Sequence, residues 1–220
     1  VPLAALVREI SEHSPASRPA RLLAVSKLQP APAIAALAAQ GQQAFGENYV
    51  QEAAAKVATL APLGLEWHLI GHLQSNKADI AARIFDWVQT VDRLKLVGAL
   101  ARHRPTGLAP LNVLIQVNID DEDSKHGCHP EEVAALAAAI VLEPALCLRG
   151  LMAIPAPHPE QARRRAAFAR MRTLFDALAS QYPQVDTLSM GMSGDFPLAI
   201  AEGATMVRVG TALFGQRPSP

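Results

Sequence analysis

Residues 21–48 read RLLAVSKLQPAPAIAALAAQGQQAFGEN. The apolar run RLLAVSK (21–27) has the composition of a strand covered on both faces. Pro30 and Pro32 then open a helix over 33–40, and Gly41 ends it. QAFGEN (43–48) returns as a second strand. An open doubly wound sheet would want a glycine-rich turn after its first strand, and VSKLQPAP (25–32) is not one. The same rhythm runs on. LEWHLIGH (65–72), WVQTVD (87–92), LNVLIQVNI (111–119), LRGLMAI (148–154), TLSMGMS (187–193) and MVRVG (206–210) read as six more strands. Helical spacing fills 50–60, 76–84, 93–103, 131–142, 160–180 and 197–202, and TALFG (211–215) starts a last turn. Eight strands alternating with eight helical segments predict the α/β class and a single (β/α)8 TIM barrel over 1–220. A leading helix over 2–13, with Leu3, Leu6, Val7 and Ile10 on one face, precedes it.

Composition narrows the function. Half the residues are hydrophobic and 18% are charged, so the chain has a core to build. Lys plus Arg and Asp plus Glu are 20 each, and aromatics are 5%, so no nucleic-acid surface is expected. No apolar run is long enough to span a bilayer, so no membrane role is expected. The N-terminal stretch VPLAALVREISEHS lacks a basic lead and an apolar block, so no secretory signal is expected; without an initiator Met, its start reads as processed or trimmed. Cys128 and Cys147 sit in unlike contexts with no CxxC pair, which fits a reducing, cytoplasmic setting.

In such a barrel the chemistry sits where strands end. Strand one ends Ser26-Lys27, where partial desolvation would lower the lysine's pKa and free an amine able to attack an aldehyde. The competing reading is a lysine reaching out to water. In MGMSGDFP (190–197), Asp195 reads as an N-cap and Pro197 as first-turn proline. Ser193 and Gly194 would then face a helix N-terminus, a seat for phosphate. Gly210 and Thr211 repeat the device after strand eight, beside Arg208, whose guanidinium needs an acceptor. Lysine, phosphate cup and arginine on adjacent strands point to a phosphorylated aldehyde cofactor, pyridoxal 5′-phosphate.

The segments AVSKLQP, FGENYVQE, WHLIGHLQSNK, RGLMAI, LSMGMSGDFPLAI and VRVGTALFG, in this order, resemble the YggS/PROSC family of pyridoxal-phosphate homeostasis proteins along essentially the whole chain. The resemblance implies a barrel like the N-terminal domain of alanine racemase. It implies that Lys27 holds the cofactor as an internal aldimine, that Ser193, Gly194, Gly210 and Thr211 hold the phosphate, and that Arg208 faces the pyridine nitrogen. Asn48, His68 and Met152 would line the ring pocket. Gln29 stands where relatives often carry a second basic residue, which removes that residue's helper role, while Lys125 matches a family lysine and is a candidate for holding cofactor in transit.

Three function classes compete. A carrier buffers the cofactor or delivers it to apoenzymes. A racemase needs two bases on opposite faces of the α-carbon. In alanine racemase the second is a tyrosine from an extra β domain of the partner subunit, and this chain offers only Tyr49, read as packing at a helix start, and Tyr182. A phosphosugar enzyme would want a carboxylate at a strand end, and Glu47 is the one good candidate. The missing second base favours the carrier, and the lack of a swapped domain favours a monomer. No metal site is expected. His68 and His72, four apart on a strand, would stand about 13 Å apart. HGCH (126–129) lacks a fourth ligand, and DDEDS (120–124) lacks the EF-hand glycine and reads as a solvated loop. Arg163, Arg164 and Arg165 read as an outer helix face, and Cys147 as core.

Overall fold

The computed structural model describes residues 1–121 and 126–215. Eight parallel strands close into one barrel in sequence order: β1 Arg21–Val25, β2 Ala44–Glu47, β3 Glu66–Leu69, β4 Trp87–Val91, β5 Leu111–Gln116, β6 Leu146–Met152, β7 Thr187–Ser189 and β8 Met206–Val209. Four registered pairs, from Arg21↔Met206 to Ala24↔Val209, join the last strand to the first. The leading helix is α1, Leu3–His13. Each strand is followed by a helix: α2 Ala31–Ala39, α3 Val50–Leu60, α4 Ala78–Ile84, α5 Leu94–His103, α6 Val133–Val141, α7 Gln161–Gln181, α8 Phe196–Ala201 and α9 Thr211–Phe214. No helix among the described residues is long and apolar enough to cross a membrane.

The two-residue period of a strand sorts each side chain to one of two cores. Ala24, Phe45, Trp67, Val88, Val113, Leu148, Leu188 and Val207 pack outward in the layer shared with the helices. Alternate positions fill the barrel: Leu23, Ala44, Ile70 and Met206 make one interior cluster, and Trp87, Leu114 and Met152 another. Removing a buried leucine from water stabilises by about 1.5–3 kcal/mol, so the shared outer layer is the main driving force for closure.

Several expectations need correction. In α1 the buried face is Leu3, Leu6 and Ile10, whereas Val7 is exposed. Most of the strands stop short of the predicted runs: the third ends at Leu69 and the seventh at Ser189. Ile70 and Met190 just beyond are buried at the barrel mouth, so the apolar run outlasts the ladder. Tyr49 does not pack; it is the exposed residue before α3. Cys147 lies within β6, half-buried, and Cys128 is the buried cysteine.

Candidate functional site

The C-terminal ends of β1, β7 and β8 frame a cavity of about 290 Å³. β1 and its turn supply Val25, Lys27 and Gln29; the turn after β7 supplies Met192, Ser193 and Gly194; β8 and its turn supply Arg208, Gly210 and Thr211. Six of the nine residues singled out in the sequence thus meet at one place. Gln29, the position where relatives often carry a second basic residue, is also in the wall, and so are Val25, Met192 and Gly215, which had no chemical signal to mark them.

The turn after β7 is built by its own side chain. Asp195 precedes α8, but its Oδ1 accepts from Met192 N–H (2.7 Å) instead of capping the helix. Gly191, at φ +95°, lets the chain fold onto α8, where a Cβ would stand 2.6 Å from Ala199 Cβ. No described residue accepts a hydrogen bond from the Ser193 or Gly194 N–H. Nothing lies within 4 Å of where a Cβ of Gly194 would stand, so packing does not ask for glycine there and the wall stays open. α8 is six residues long and α9 four, so open N–H groups, more than a long helix dipole, are what these turns offer an anion.

Arg208 is buried, and among the described residues no carboxylate pairs with it. Nη1 donates to Ser189 Oγ (2.8 Å) and Nη2 to Ala153 O (2.9 Å), two of the five N–H donors. Burial lowers its pKa, but only to about 10, so it is a cation at neutral pH. A chain of hydrogen bonds continues down the barrel. Ser189 Oγ donates to Gln89 Oε1 (2.7 Å), which turns the Gln89 amide nitrogen towards His68 Nδ1 (2.9 Å). That leaves the His68 proton on Nε2, facing Glu66 Oε1 (2.7 Å), which also accepts from Arg21 (2.8 Å). Burial keeps His68 neutral against the pull of Glu66. Burial also raises the Glu66 carboxyl, but the His68 hydrogen bond and the Arg21 charge outweigh it and its pKa falls to about 2. The chain runs unbroken from Arg208 Nη1 to Glu66, so that the orientation of the guanidinium is coupled to the opposite end of the barrel.

The other three predicted residues are not in this wall. His68, fully buried, stacks on Trp87 at 5.0 Å within that chain. Met152, also fully buried, packs on Trp87 and Leu114. Both belong to the barrel interior below the mouth. Asn48 lines a neighbouring cavity with Tyr49, His72 and Lys77, and its enclosed Oδ1 makes no hydrogen bond among the described residues. Glu47, the carboxylate a phosphosugar enzyme would use, lies outside the cavity wall, in contact with Lys56 of α3. Lys125 lies outside the described residues. His72, Asp92 and His126 bring ligand atoms within 4.8 Å of one another. The two rings stack at 3.7 Å with planes 14° apart, so their in-plane lone pairs do not converge on one ion. Asp92 is already paired with Arg93 at 2.7 Å.

The comparisons agree with this architecture. The family model for the alanine racemase N-terminal domain matches residues 2–218. The pyridoxal phosphate homeostasis protein of Haemophilus influenzae is 55% identical over 201 residues, 90% of this chain and 85% of that one. PipY of Synechococcus elongatus, 42% identical, was solved without and with pyridoxal phosphate bound; the two structures superpose with TM-scores of 0.88 and 0.85 over 97% of this chain and 98% of theirs. The chain belongs to the alanine racemase N-terminal domain family, within the group of pyridoxal phosphate homeostasis proteins.

Proposed function

We propose that this chain binds pyridoxal 5′-phosphate in the cavity at the ends of β1, β7 and β8, and that it holds and hands on the cofactor without turning over a substrate. One observation carries the reading: a lysine, a buried guanidinium and two backbone N–H groups meet in the wall of one small cavity, and among the described residues the guanidinium has no carboxylate partner and the N–H groups no acceptor. A buried cation left unpaired is costly, and open N–H groups beside it suit a ligand with several anionic oxygens. A phosphate monoester meets that demand. The names of the relatives and the ligand in PipY support pyridoxal phosphate as the ester.

When bound, this cofactor supplies an aldehyde that condenses reversibly with a primary amine, releasing one water. Lys27 Nζ is the amine that the cavity offers. Ser193 and Thr211, with the backbone at Gly194 and Gly210, would hold the phosphate. Arg208, held by Ser189 and Ala153, has N–H groups left for the ring nitrogen, and its charge favours an anionic ligand as a whole. Val25 and Met192 would give the ring an apolar part of the wall.

The carrier reading rests on what surrounds Lys27. Lys27 and Arg208 are the ionisable residues in the wall, and neither tyrosine is in it. Tyr182 ends α7 and Tyr49 stands in the neighbouring cavity, so no second base faces Lys27 among the described residues. The closed barrel also leaves no sheet edge to pair, which supports a monomer, and two unpaired cysteines suit a reducing cytoplasm.

The test is a visible spectrum of the purified protein with added pyridoxal phosphate, followed by borohydride reduction and peptide mapping. A new visible band and one reduced adduct, on Lys27, are expected; a protein that stays colourless and carries no adduct overturns the reading. Incubation with L-alanine should give no D-alanine beyond a free-cofactor blank, and Lys27-dependent D-alanine would make the chain an enzyme. Ser193→Ala removes one hydrogen bond to a charged group, worth roughly 1.5–3 kcal/mol, so retention should weaken about tenfold or more. Equal retention in Ser193→Ala and Arg208→Ala proteins would remove both residues from the site.

A further inference from the structure

Lys27 sits in a turn that its own sequence does not favour. Gln29 N–H bonds to Ser26 O (3.0 Å), closing a four-residue turn with Lys27 and Leu28 at its centre. Leu28 has φ +61°, the left-handed region that a branched side chain rarely enters, and its side chain is exposed. Exposed packing does not hold it there. Such a conformation persists only where the surroundings over-determine it.

The surroundings here are three charged side chains outside the cavity wall. Lys56 Nζ, on α3, donates to Glu47 Oε1 (2.6 Å), to Glu52 Oε1 (2.6 Å) and to Ser26 O (2.8 Å), which uses all three of its protons. Glu52 Oε1 also accepts from Leu28 N–H (2.6 Å). Ser26 Oγ donates to Glu47 Oε1 (3.1 Å). The carbonyl before Lys27 and the amide after it are therefore both tied to the Glu52–Lys56 pair. Glu47 and Lys56 are buried, and Glu47 Oε2 has no hydrogen-bond partner among the described residues. A buried, nearly saturated ion network gives a fixed geometry more readily than it gives stability.

We infer that Glu52 and Lys56, seated on Glu47, are positioning residues that hold the strained Ser26–Gln29 turn and so aim the Lys27 amine into the cavity. The inference rests on the reading of Lys27 as the residue that takes the cofactor's aldehyde. The attachment forms a carbon–nitrogen bond between the aldehyde carbon and Nζ and releases the aldehyde oxygen as water, so a displaced amine loses attachment while the phosphate seat is untouched.

The experiment compares wild type with Glu52→Ala, using two probes. Pyridoxal phosphate reports attachment, through the rate of the visible band and the borohydride-fixed adduct on Lys27. Pyridoxine 5′-phosphate carries an alcohol in place of the aldehyde and reports the seat alone. Glu52→Ala should slow attachment about tenfold, the scale of one charge-assisted hydrogen bond, and leave pyridoxine phosphate retention within about twofold. Adding Leu28→Gly, which occupies the left-handed region without strain, should recover most of the attachment rate. Attachment at the wild-type rate in Glu52→Ala overturns the inference, and so does parallel loss of both probes, which would mean a general structural role. Lys56→Met leaves Glu47 buried without its cation and so disturbs the fold itself; Glu52→Ala, at a partly exposed position of α3, keeps the test independent of that. A wild-type protein with no adduct on Lys27 overturns both the function reading and this inference.

Discussion

Lys27→Ala is expected to leave no borohydride-fixed pyridoxal adduct anywhere on the protein, while its thermal midpoint stays within a few degrees of wild type. The loss should be complete because no other described lysine reaches the cavity. Lys56 is committed to Glu47, Glu52 and Ser26. Lys77 lines the neighbouring cavity, and Lys95 is exposed on α5. The fold should survive because Lys27 lies beyond the last ladder residue of β1 and is only half-buried, so it contributes little apolar burial. Ser193, Gly194, Gly210 and Thr211 are unchanged in this variant, so it should still retain pyridoxine 5′-phosphate. An adduct that persists in Lys27→Ala, mapped by mass to another lysine, with Lys125 the first to inspect, would remove Lys27 from its proposed role. Loss of retention together with a large fall in thermal midpoint would mean that the strand end carries more packing than its burial implies.

The barrel and its cavity were legible for different reasons. Parallel strands covered on both faces must be apolar runs, and the helices between them must show a repeat of 3.6, so the alternation is written in composition. Lys27, Ser193, Gly194 and Arg208 stood out because each interrupts an apolar run at a strand end, where the fold puts chemistry. His68 and Met152 interrupt or belong to such runs too, yet they lie one layer lower. The ladder of β3 ends at Leu69 and that of β6 at Met152, and neither boundary could be read from hydrophobicity that continues past it. The interior chain of Ser189, Gln89 and His68 had a usable signal. Each is a polar residue inside an apolar strand, and buried polar groups must find one another. The Glu47–Lys56–Glu52 network had only partial signals, a strand-end carboxylate and a Glu–Lys pair four apart on a helix, and its link to the turn at Leu28 shows only in three dimensions.

Gly150→Ala is expected to be the most damaging single substitution for the fold, lowering stability by about 4 kcal/mol or more. Along the β5–β6 seam Val113 pairs with Leu148 but Leu114 pairs with Gly150, so Arg149 is an extra residue and β6 bulges there. Gly150 itself has φ +148°, and a Cβ on it would stand 1.8 Å from Thr187 O and 2.8 Å from Thr187 C. Those are backbone atoms of β7 and cannot rotate away. The bulge also aims Arg149, whose guanidinium lies 4.5 Å from the Trp87 ring centre, bonds Asn112 Oδ1 (3.0 Å) and pairs with Asp186 (2.8 Å). β7 is only three residues long and meets β8 through the single pair Ser189↔Met206, so it has little ladder with which to resist being pushed outward. Displacing it would pull Ser189 from Arg208 and Gln89, and the damage would reach the cavity through the interior chain. For a chain of this size 1 kcal/mol shifts Tm by about 2–4 °C, so thermal unfolding of Gly150→Ala should fall by roughly 10 °C or more, or the protein should be recovered only as aggregate. A Tm within about 2 °C of wild type, with pyridoxine phosphate retention intact, would show that β7 can yield and that the glycine is not what closes the barrel at this seam.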